Sequence, residues 1–317
     1  MAKQKSNNPT QQPRGGGVKG GRATVGDWIE GARLRTLPLA LVPVILGTAA
    51  AIAVEPGQYH WVRALAALGV ALALQIGVNY ANDYSDGIRG TDDHRVGPPR
   101  LTGSGRVRPA VVRTVAFAFF GAAGLLGLWL CFATQQWWLL AVGAAAILAA
   151  WFYTGGKRPY GYAGLGEVFV FIFFGLVATI GTAFVQVLFV PQPAWFLAVA
   201  AGLFSCAVLM VNNIRDIPTD TLAGKRTLAV RMGVRGSRVV FGLFALLPFL
   251  VTVMFGFVYP NALFALFALL LAVPSVIITS TTTTPKDLVL ALKLISLGAL
   301  LWALLMGVGL VLPGFVL

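Results

Sequence analysis

Charge is scarce in this chain. Asp, Glu, Lys and Arg make up 11% of its 317 residues, where a soluble domain carries roughly a quarter. Acidic residues are scarcer still, 11 in all, and such a composition excludes an ordinary soluble globular domain. The two cysteines, Cys131 and Cys206, lie inside apolar runs without metal-ligand spacing, which excludes a disulfide framework and a thiolate metal site. The two histidines, His60 and His94, stand alone and do not read as ligands. Residues 1–23 lack an apolar core, so they form no signal peptide. Polar, Gly-rich and basic, they read as a disordered tail.

What is present is apolar length. Hydrophobic residues make up 57% of the chain and mean hydropathy is +0.80. Nine runs of about 18 or more largely apolar residues follow one another, roughly 37–54, 62–82, 111–133, 137–154, 164–190, 195–214, 239–258, 262–280 and 288–312. The expected fold is all-α, a single polytopic membrane domain over residues 24–317 with nine transmembrane helices. The run at 164–190 is long, and Gly175 and Gly181 within it predict a tilt or bend. Of the 24 Lys and Arg, 23 fall in the N-terminal segment and in alternate loops, leaving only Arg63 on the other side. The positive-inside rule then places the N-terminus in the cytoplasm and the C-terminus outside a cell membrane. The formal charge of +13 follows from that bias, and it favours anionic membrane lipid over nucleic acid as the basic residues' partner.

Four of the 11 acids stand together in "NYANDYSDGIRGTDDHR", residues 79–95, at the inner end of the second run. Asn79, Asn82, Asp83 and Asp86 are three and four apart, so a continuing helix puts them on one face. Gly87 and Gly90 then break the helix, and Asp92 and Asp93 follow in the loop. "VNNIRDIPTDTLAGKRTLAVRMG", residues 211–233, repeats the theme at the end of the sixth run with Asn212, Asn213, Asp216 and Asp220. The clusters start 133 residues apart, at Asn79 and Asn212, which suggests a weak parallel duplication.

Solvated loop charge or helix capping accounts for an acid such as Asp93. Asp83 and Asp86 instead stand at a helix C-terminus, the unfavourable end of the dipole. A carboxylate near the membrane interior costs roughly 2.5–3.5 kcal/mol, so the cluster needs cations. Asp and Asn oxygens suit Mg2+, which commonly bridges protein carboxylates to phosphate oxygens. The flanking Arg89, Arg95, Arg100, Arg215, Lys225, Arg226 and Arg231 suit a polyanion, although inner-loop topology explains any single one equally well. A lipid diphosphate fits such a place, its head at the rim and its tail between helices. Ionisation of an allylic diphosphate also calls for a dry, π-rich wall. Five of the seven tyrosines, Tyr80, Tyr84, Tyr153, Tyr160 and Tyr162, fall on the inner side, where the ordinary aromatic belt is the competing explanation.

Both segments resemble the two Asp-rich motifs of the UbiA superfamily of intramembrane prenyltransferases. Within it, "RTLPLALVPVILGTA", "WFYTGGKRPYGYAGLGE" and "AGKRTLAVRMG" are similar to the branch that prenylates 1,4-dihydroxy-2-naphthoate in menaquinone biosynthesis. The superfamily pattern N-D-x-x-D-x-x-x-D has Gly90 in its last position here, with Asp92 two residues on. The resemblance implies that Asn82, Asp83, Asp86, Asp92, Asp216 and Asp220 hold Mg2+ on a polyprenyl diphosphate. Asp83, Asp86, Asp216, Asp220 and Lys225 would form the catalytic set. Arg215, Lys225 and Lys157 would touch diphosphate oxygens, and Asn79, Asn82, Tyr84, Arg89, Arg100, Tyr153, Asn212 and Asn213 would line the substrates. The acceptor 1,4-dihydroxy-2-naphthoate would lose its carboxylate as CO2.

Glu167, the one acid at the start of the fifth run, reads equally as an acceptor-site residue and an interfacial acid. Gln75 and Gln186 are expected to hydrogen-bond between helices. The Gly-rich "GPPRLTGSG" at 97–105 is a candidate anion cradle. A secondary transporter would carry its charges at mid-membrane, yet the interiors of runs 1, 3, 4, 7 and 8 contain no ionisable residue. A CDP-alcohol phosphotransferase would draw its acids from one compact motif. Related enzymes acting on 4-hydroxybenzoate, haem or a phosphoribose diphosphate share the motifs and stay open.

Overall fold

The computed structural model describes residues 22–91 and 100–312, which form helices and turns without strands. In order these are α1 (Val25–Gly31), α2 (Pro38–Val54), α3 (Trp61–Arg89), α4 (Pro109–Thr134), α5 (Leu139–Phe152) and α6 (Gly166–Val170). Then come α7 (Ala178–Val187), α8 (Gln192–Leu222), α9 (Leu228–Leu246), α10 (Pro248–Gly256), α11 (Leu269–Thr281) and α12 (Pro285–Val311). Pro38, Pro109, Pro248 and Pro285 open their helices, where a missing N–H costs nothing because the first turn has no partner for it.

All nine apolar runs are largely helical, but they are not nine clean spans. Seven helical stretches are long and apolar enough to cross a membrane, and α1 with α2 makes an eighth only as a pair bent by 47°. The run at 137–154 shrinks to α5, whose 14 residues fall short of the roughly 20 that a bilayer needs. Residues at its two ends are spent on the turn through Trp137 and Trp138 and on the turn after Tyr153. The expected bend in the fifth run is a widened, π-helical turn, Phe171–Val177, between α6 and α7. Gly175 in that turn lies against α8, where an added Cβ would stand 2.5 Å from the Gly202 Cα.

The most enclosed long helix is α8, packed by α2, α9, α12 and the π turn around Phe204, Phe241, Phe249 and Trp302. Within this core Trp302 Nε1 on α12 donates to Thr252 Oγ1 on α10 at 2.7 Å. The two glutamines also join separate elements. Gln186 donates to Thr48 Oγ1 at 3.0 Å, and Gln75 donates to the Thr36 carbonyl.

Charged groups tie the turns together at one end of the bundle. Arg106 pairs with Asp27, Arg89 donates to the carbonyls of Thr154 and Gly156, and Arg231 donates to the Ala163 carbonyl. The outlying Arg63 explains itself at the other end. Its guanidinium donates to Ala133 O (2.8 Å) and Val185 O (3.0 Å), carbonyls in the last turns of α4 and α7 that no helical N–H satisfies.

Close backbone approach at Gly175 gives a test. Gly175→Leu must push α8 away and is expected to cost about 1–3 kcal/mol, read as a lower thermal midpoint in detergent. Gly121→Leu, where an added Cβ meets nothing within 4 Å, should leave the midpoint unchanged.

Candidate active site

Two helices bring the acids together, and both end in the same way. α3 continues through Gly87 to Arg89, so Gly90, not Gly87, breaks it. Gly90 has φ +70° and the Thr91 N–H reaches back to the Asp86 carbonyl at 3.2 Å. α8 likewise runs past its acids to Leu222; Gly224 has φ +72° and the Lys225 N–H reaches back to the Asp220 carbonyl at 2.8 Å. This six-to-one closure over a left-handed glycine puts one carboxylate of each cluster at the same station of its helix end. It gives the proposed duplication a structural counterpart.

Asp86 and Asp220 share one cation. Lys225 Nζ lies 3.2 Å from Asp86 Oδ1 and 3.7 Å from Asp220 Oδ1. The Tyr162 hydroxyl also donates to Asp86 Oδ1, and its ring lies 4.6 Å below the Lys225 ammonium. Burial, reinforced by the Asp86 carboxylate, pushes the Tyr162 phenol far above its ordinary range, so it stays a donor. Asp216 is held by Arg215 through two bonds of 2.7 and 2.6 Å, and Arg215 also reaches Asn212 Oδ1 at 2.8 Å. Asn82 Oδ1 accepts from Thr154 Oγ1 at 2.7 Å. Together Asn82, Asp86, Asp216, Asp220 and Lys225 line a polar cavity of about 80 Å³.

A second cavity of about 590 Å³ runs into the apolar interior between α2, α3, α4, α5, the π turn and α8. Arg33, Asn82, Arg100, Tyr153 and Asn212 line both cavities, so the two meet at that ring of polar side chains. Stacked aromatics continue inward from it, Tyr160 on Phe169 at 4.0 Å and Phe169 on Phe173 at 6.3 Å between centroids. The Arg100 Nη1 is buried at the junction with no hydrogen-bond partner among the described residues. An orphaned guanidinium donor is costly unless an anion meets it.

Not every candidate arrives here. Asp83 lines neither cavity; its carboxylate accepts the backbone N–H groups of Leu101 (2.9 Å) and Thr102 (2.8 Å). A 3.6-residue period puts Asn79, Asn82 and Asp86 in one row and Tyr80, Asp83 and Gly87 in the next, so the shared face divides. The same two bonds remove those amides from the anion cradle expected at 97–105. Tyr84 stacks on Trp151 outside both cavities, Lys157 is exposed and away from them, and Arg89 is occupied by loop carbonyls. Asn79 donates to the Ala32 carbonyl at 3.0 Å while still lining the larger cavity. Asn213, in the polar cavity, donates to Glu167 Oε1 at 3.0 Å; Glu167 itself is buried behind the cavities and its Oε2 has no partner among the described residues. Asp92 lies outside the described residues. Sequence reasoning named Tyr162 only as one of the inner tyrosines, with no partner, and gave Thr154 and Arg33 no part in the site. For Tyr162 the signal was its place among the inner tyrosines; for the other two, only their nearness to named motifs.

Among the described residues no three carboxylate, His or Cys side chains converge closely enough to hold a metal unaided. Four hard oxygen donors around one cavity do suit Mg2+, provided a ligand contributes the remaining oxygens. The set can bind a polyanion and a divalent cation together beside an apolar compartment.

Comparisons with known proteins place the chain in a family. The UbiA prenyltransferase family model matches residues 40–304. A Mycobacterium tuberculosis 1,4-dihydroxy-2-naphthoate octaprenyltransferase is 53% identical over 219 residues, 69% of this chain and 74% of the relative. The apo structure of a UbiA homologue from Aeropyrum pernix K1 superposes with a TM-score of 0.65 at 15% identity, covering 84% of this chain and 97% of that one. A UbiA homologue from Archaeoglobus fulgidus, solved bound to DMAPP and Mg2+, gives 0.53 at 14% identity, covering 87% and 99%.

Tyr162→Phe keeps the ring under Lys225 and deletes only the donor to Asp86. Losing one bond to a charged group is expected to weaken Mg2+-dependent pyrophosphate binding about tenfold, measured by calorimetry, with the fold retained.

Proposed function

The chain belongs to the UbiA prenyltransferase family, and from that premise we propose that it moves a polyprenyl group from polyprenyl diphosphate to 1,4-dihydroxy-2-naphthoate. Pyrophosphate and CO2 leave, giving a demethylmenaquinol for menaquinone biosynthesis. The observation that carries the reading is the junction of the two cavities, where carboxylates and cations on α3, α8 and their turns border an apolar chamber of about 590 Å³.

The diphosphate head lies in the polar cavity, its oxygens taken by Lys225 and by the open Arg100 donor. Asn82, Asp86, Asp216 and Asp220 would hold Mg2+ there, which would supply charge withdrawal from the leaving diphosphate. Arg215 fixes Asp216 for that task. The prenyl tail fills the apolar cavity, whose walls exclude water from the allylic carbon. Tyr153, Tyr160, Phe169 and Phe173 line that cavity and bring π-electron density beside the positive charge that develops as the C–O bond breaks. The electron pair leaves with pyrophosphate. The acceptor carbon bearing the carboxylate then bonds to the prenyl carbon, and departure of CO2 returns the C–C electron pair to the ring, so no strong base is needed to remove a proton there.

Loss of a metal ligand should be far more damaging than loss of a neighbour. Asp86→Asn and Asp220→Asn are each expected to lower prenyl transfer by about a hundredfold or more at unchanged thermal midpoint. The acceptor is tested separately by assaying the purified protein with Mg2+, one prenyl diphosphate and a panel of acceptors. Prenylation of 4-hydroxybenzoate but not the naphthoate would overturn the acceptor alone; metal-independent transfer would overturn the site as well.

The charged end of the bundle is the cytoplasmic one in this reading, since the N-terminal segment and the alternate loops of the sequence carry 23 of the 24 Lys and Arg. Single cysteines at Gln136 and Asn261 should label only from outside sealed vesicles, and cysteines at Lys157 and Lys286 only from inside. Labelling of position 261 from the cytoplasmic side would defeat the nine-crossing arrangement, in which the short α5 makes the fourth crossing together with its flanking turns.

A further inference from the structure

We propose that Asp83 is a positioning residue: it clamps the turn at 100–105 onto α3 and thereby aims the Arg100 guanidinium at the diphosphate. The inference rests on the reading of the polar cavity as the diphosphate site. Asp83 is fully buried, and each of its two oxygens accepts one backbone N–H, from Leu101 at 2.9 Å and from Thr102 at 2.8 Å. Bonds from N–H to a buried carboxylate are the strong kind. One helical turn later, Gly87 completes the seat. A Cβ there would stand 2.4 Å from Thr102 Cγ2, 2.6 Å from Thr102 Cβ and 3.1 Å from the Gly103 nitrogen. One turn earlier, Tyr80 packs in the same cluster as Leu101. The row Tyr80, Asp83, Gly87 is thus a docking surface for backbone, while the neighbouring row ending in Asp86 faces ligand.

The docked turn is closed on itself. Ser104 N–H donates to the Arg100 carbonyl at 3.0 Å and Val107 N–H to the Leu101 carbonyl at 3.1 Å. Arg100, its first residue, sends its side chain to the junction of the two cavities, where Nη1 is buried without a partner among the described residues. A carboxylate with both oxygens committed to amides is poorly placed to serve as a metal ligand. Its contribution to turnover passes through the turn.

Three variants test this. Asp83→Asn cannot accept both amides, and its KM for prenyl diphosphate should rise about tenfold or more while the half-saturating Mg2+ concentration stays within about twofold. Combined with Arg100→Ala it should add little, because both changes remove one interaction. Deuterium exchange of the 101–105 amides should speed up while the core of α8 stays protected. Gly87→Ala disturbs the same seat without touching a carboxylate and should reproduce the KM effect, so it decides the matter alone should Asp83→Asn not fold. A tenfold or larger rise in the Mg2+ requirement of Asp83→Asn, multiplying effects in the double variant, or an unchanged KM in Gly87→Ala would each overturn the proposal. Asp86→Asn is the control. If that variant keeps its wild-type Mg2+ dependence, the cavity reading fails and takes this inference with it.

Discussion

Two carboxylates held at the C-terminal ends of two apolar helices cannot stay charged without a cation between them. That constraint organises the charged end of the molecule. Helix dipoles oppose Asp86 and Asp220, and burial opposes them further. Lys225 answers both, 3.2 and 3.7 Å away, and it can do so because Gly224 turns the chain back over the end of α8. The turns that follow are fastened to one another for related reasons. Arg226 N–H bonds the Tyr162 carbonyl, Tyr162 bonds Asp86, and Arg89 bonds the carbonyls of the turn that carries Thr154. Remove the lysine and the one cation that bridges the two carboxylates is lost, leaving Asp86 with the charge of the nearby Arg100.

Much of this was legible in the sequence, because its signals were periodic. Apolar runs gave the helices, and the alternation of Lys and Arg gave a densely charged end and a sparsely charged one. The recurrence of Asn and Asp at the ends of the second and sixth runs brought Asn82, Asp86, Asp216 and Asp220 to one cavity. Where the reading failed, the cause was angular or terminal. A spacing of three or four selects a broad face, but one helix step of about 100° separates Asn82 from Asp83, enough to send one to the ligand cavity and the other to a backbone turn. Counting apolar residues likewise cannot reveal that the fourth run loses its ends to turns. Lys157 was misplaced because charge alone does not say which way a loop side chain leaves.

The partners of Asp83 and Arg63 were not legible at all, since both are backbone groups. A carbonyl left over at the end of α4 or α7, or an amide in a closed turn, has no letter in the sequence. Such groups are nonetheless obligatory hydrogen-bonding sites in an apolar medium. Charged side chains that look like candidates for chemistry are therefore also the best available caps, and only geometry separates the two uses. Arg63 caps, Asp83 clamps, and Arg100 is left with an open donor.

The acids and the cations of the site consequently differ in how they are held. Asn82, Asp86, Asp216 and Asp220 stand on α3 and α8, with α8 the most enclosed long helix of the bundle, so their spacing is set by helix packing. Lys225 and Arg100 belong to turns, whose positions depend on a few hydrogen bonds to those same helices. Under the proposed function, the helix-borne acids define where a metal-bridged anion would lie, and the turns bring the cations that would neutralise the rest of its charge. A substitution in the helix core and one in a turn can thus impair the same chemistry by different routes, the first by moving the carboxylates apart and the second by leaving them in place with one cation misdirected.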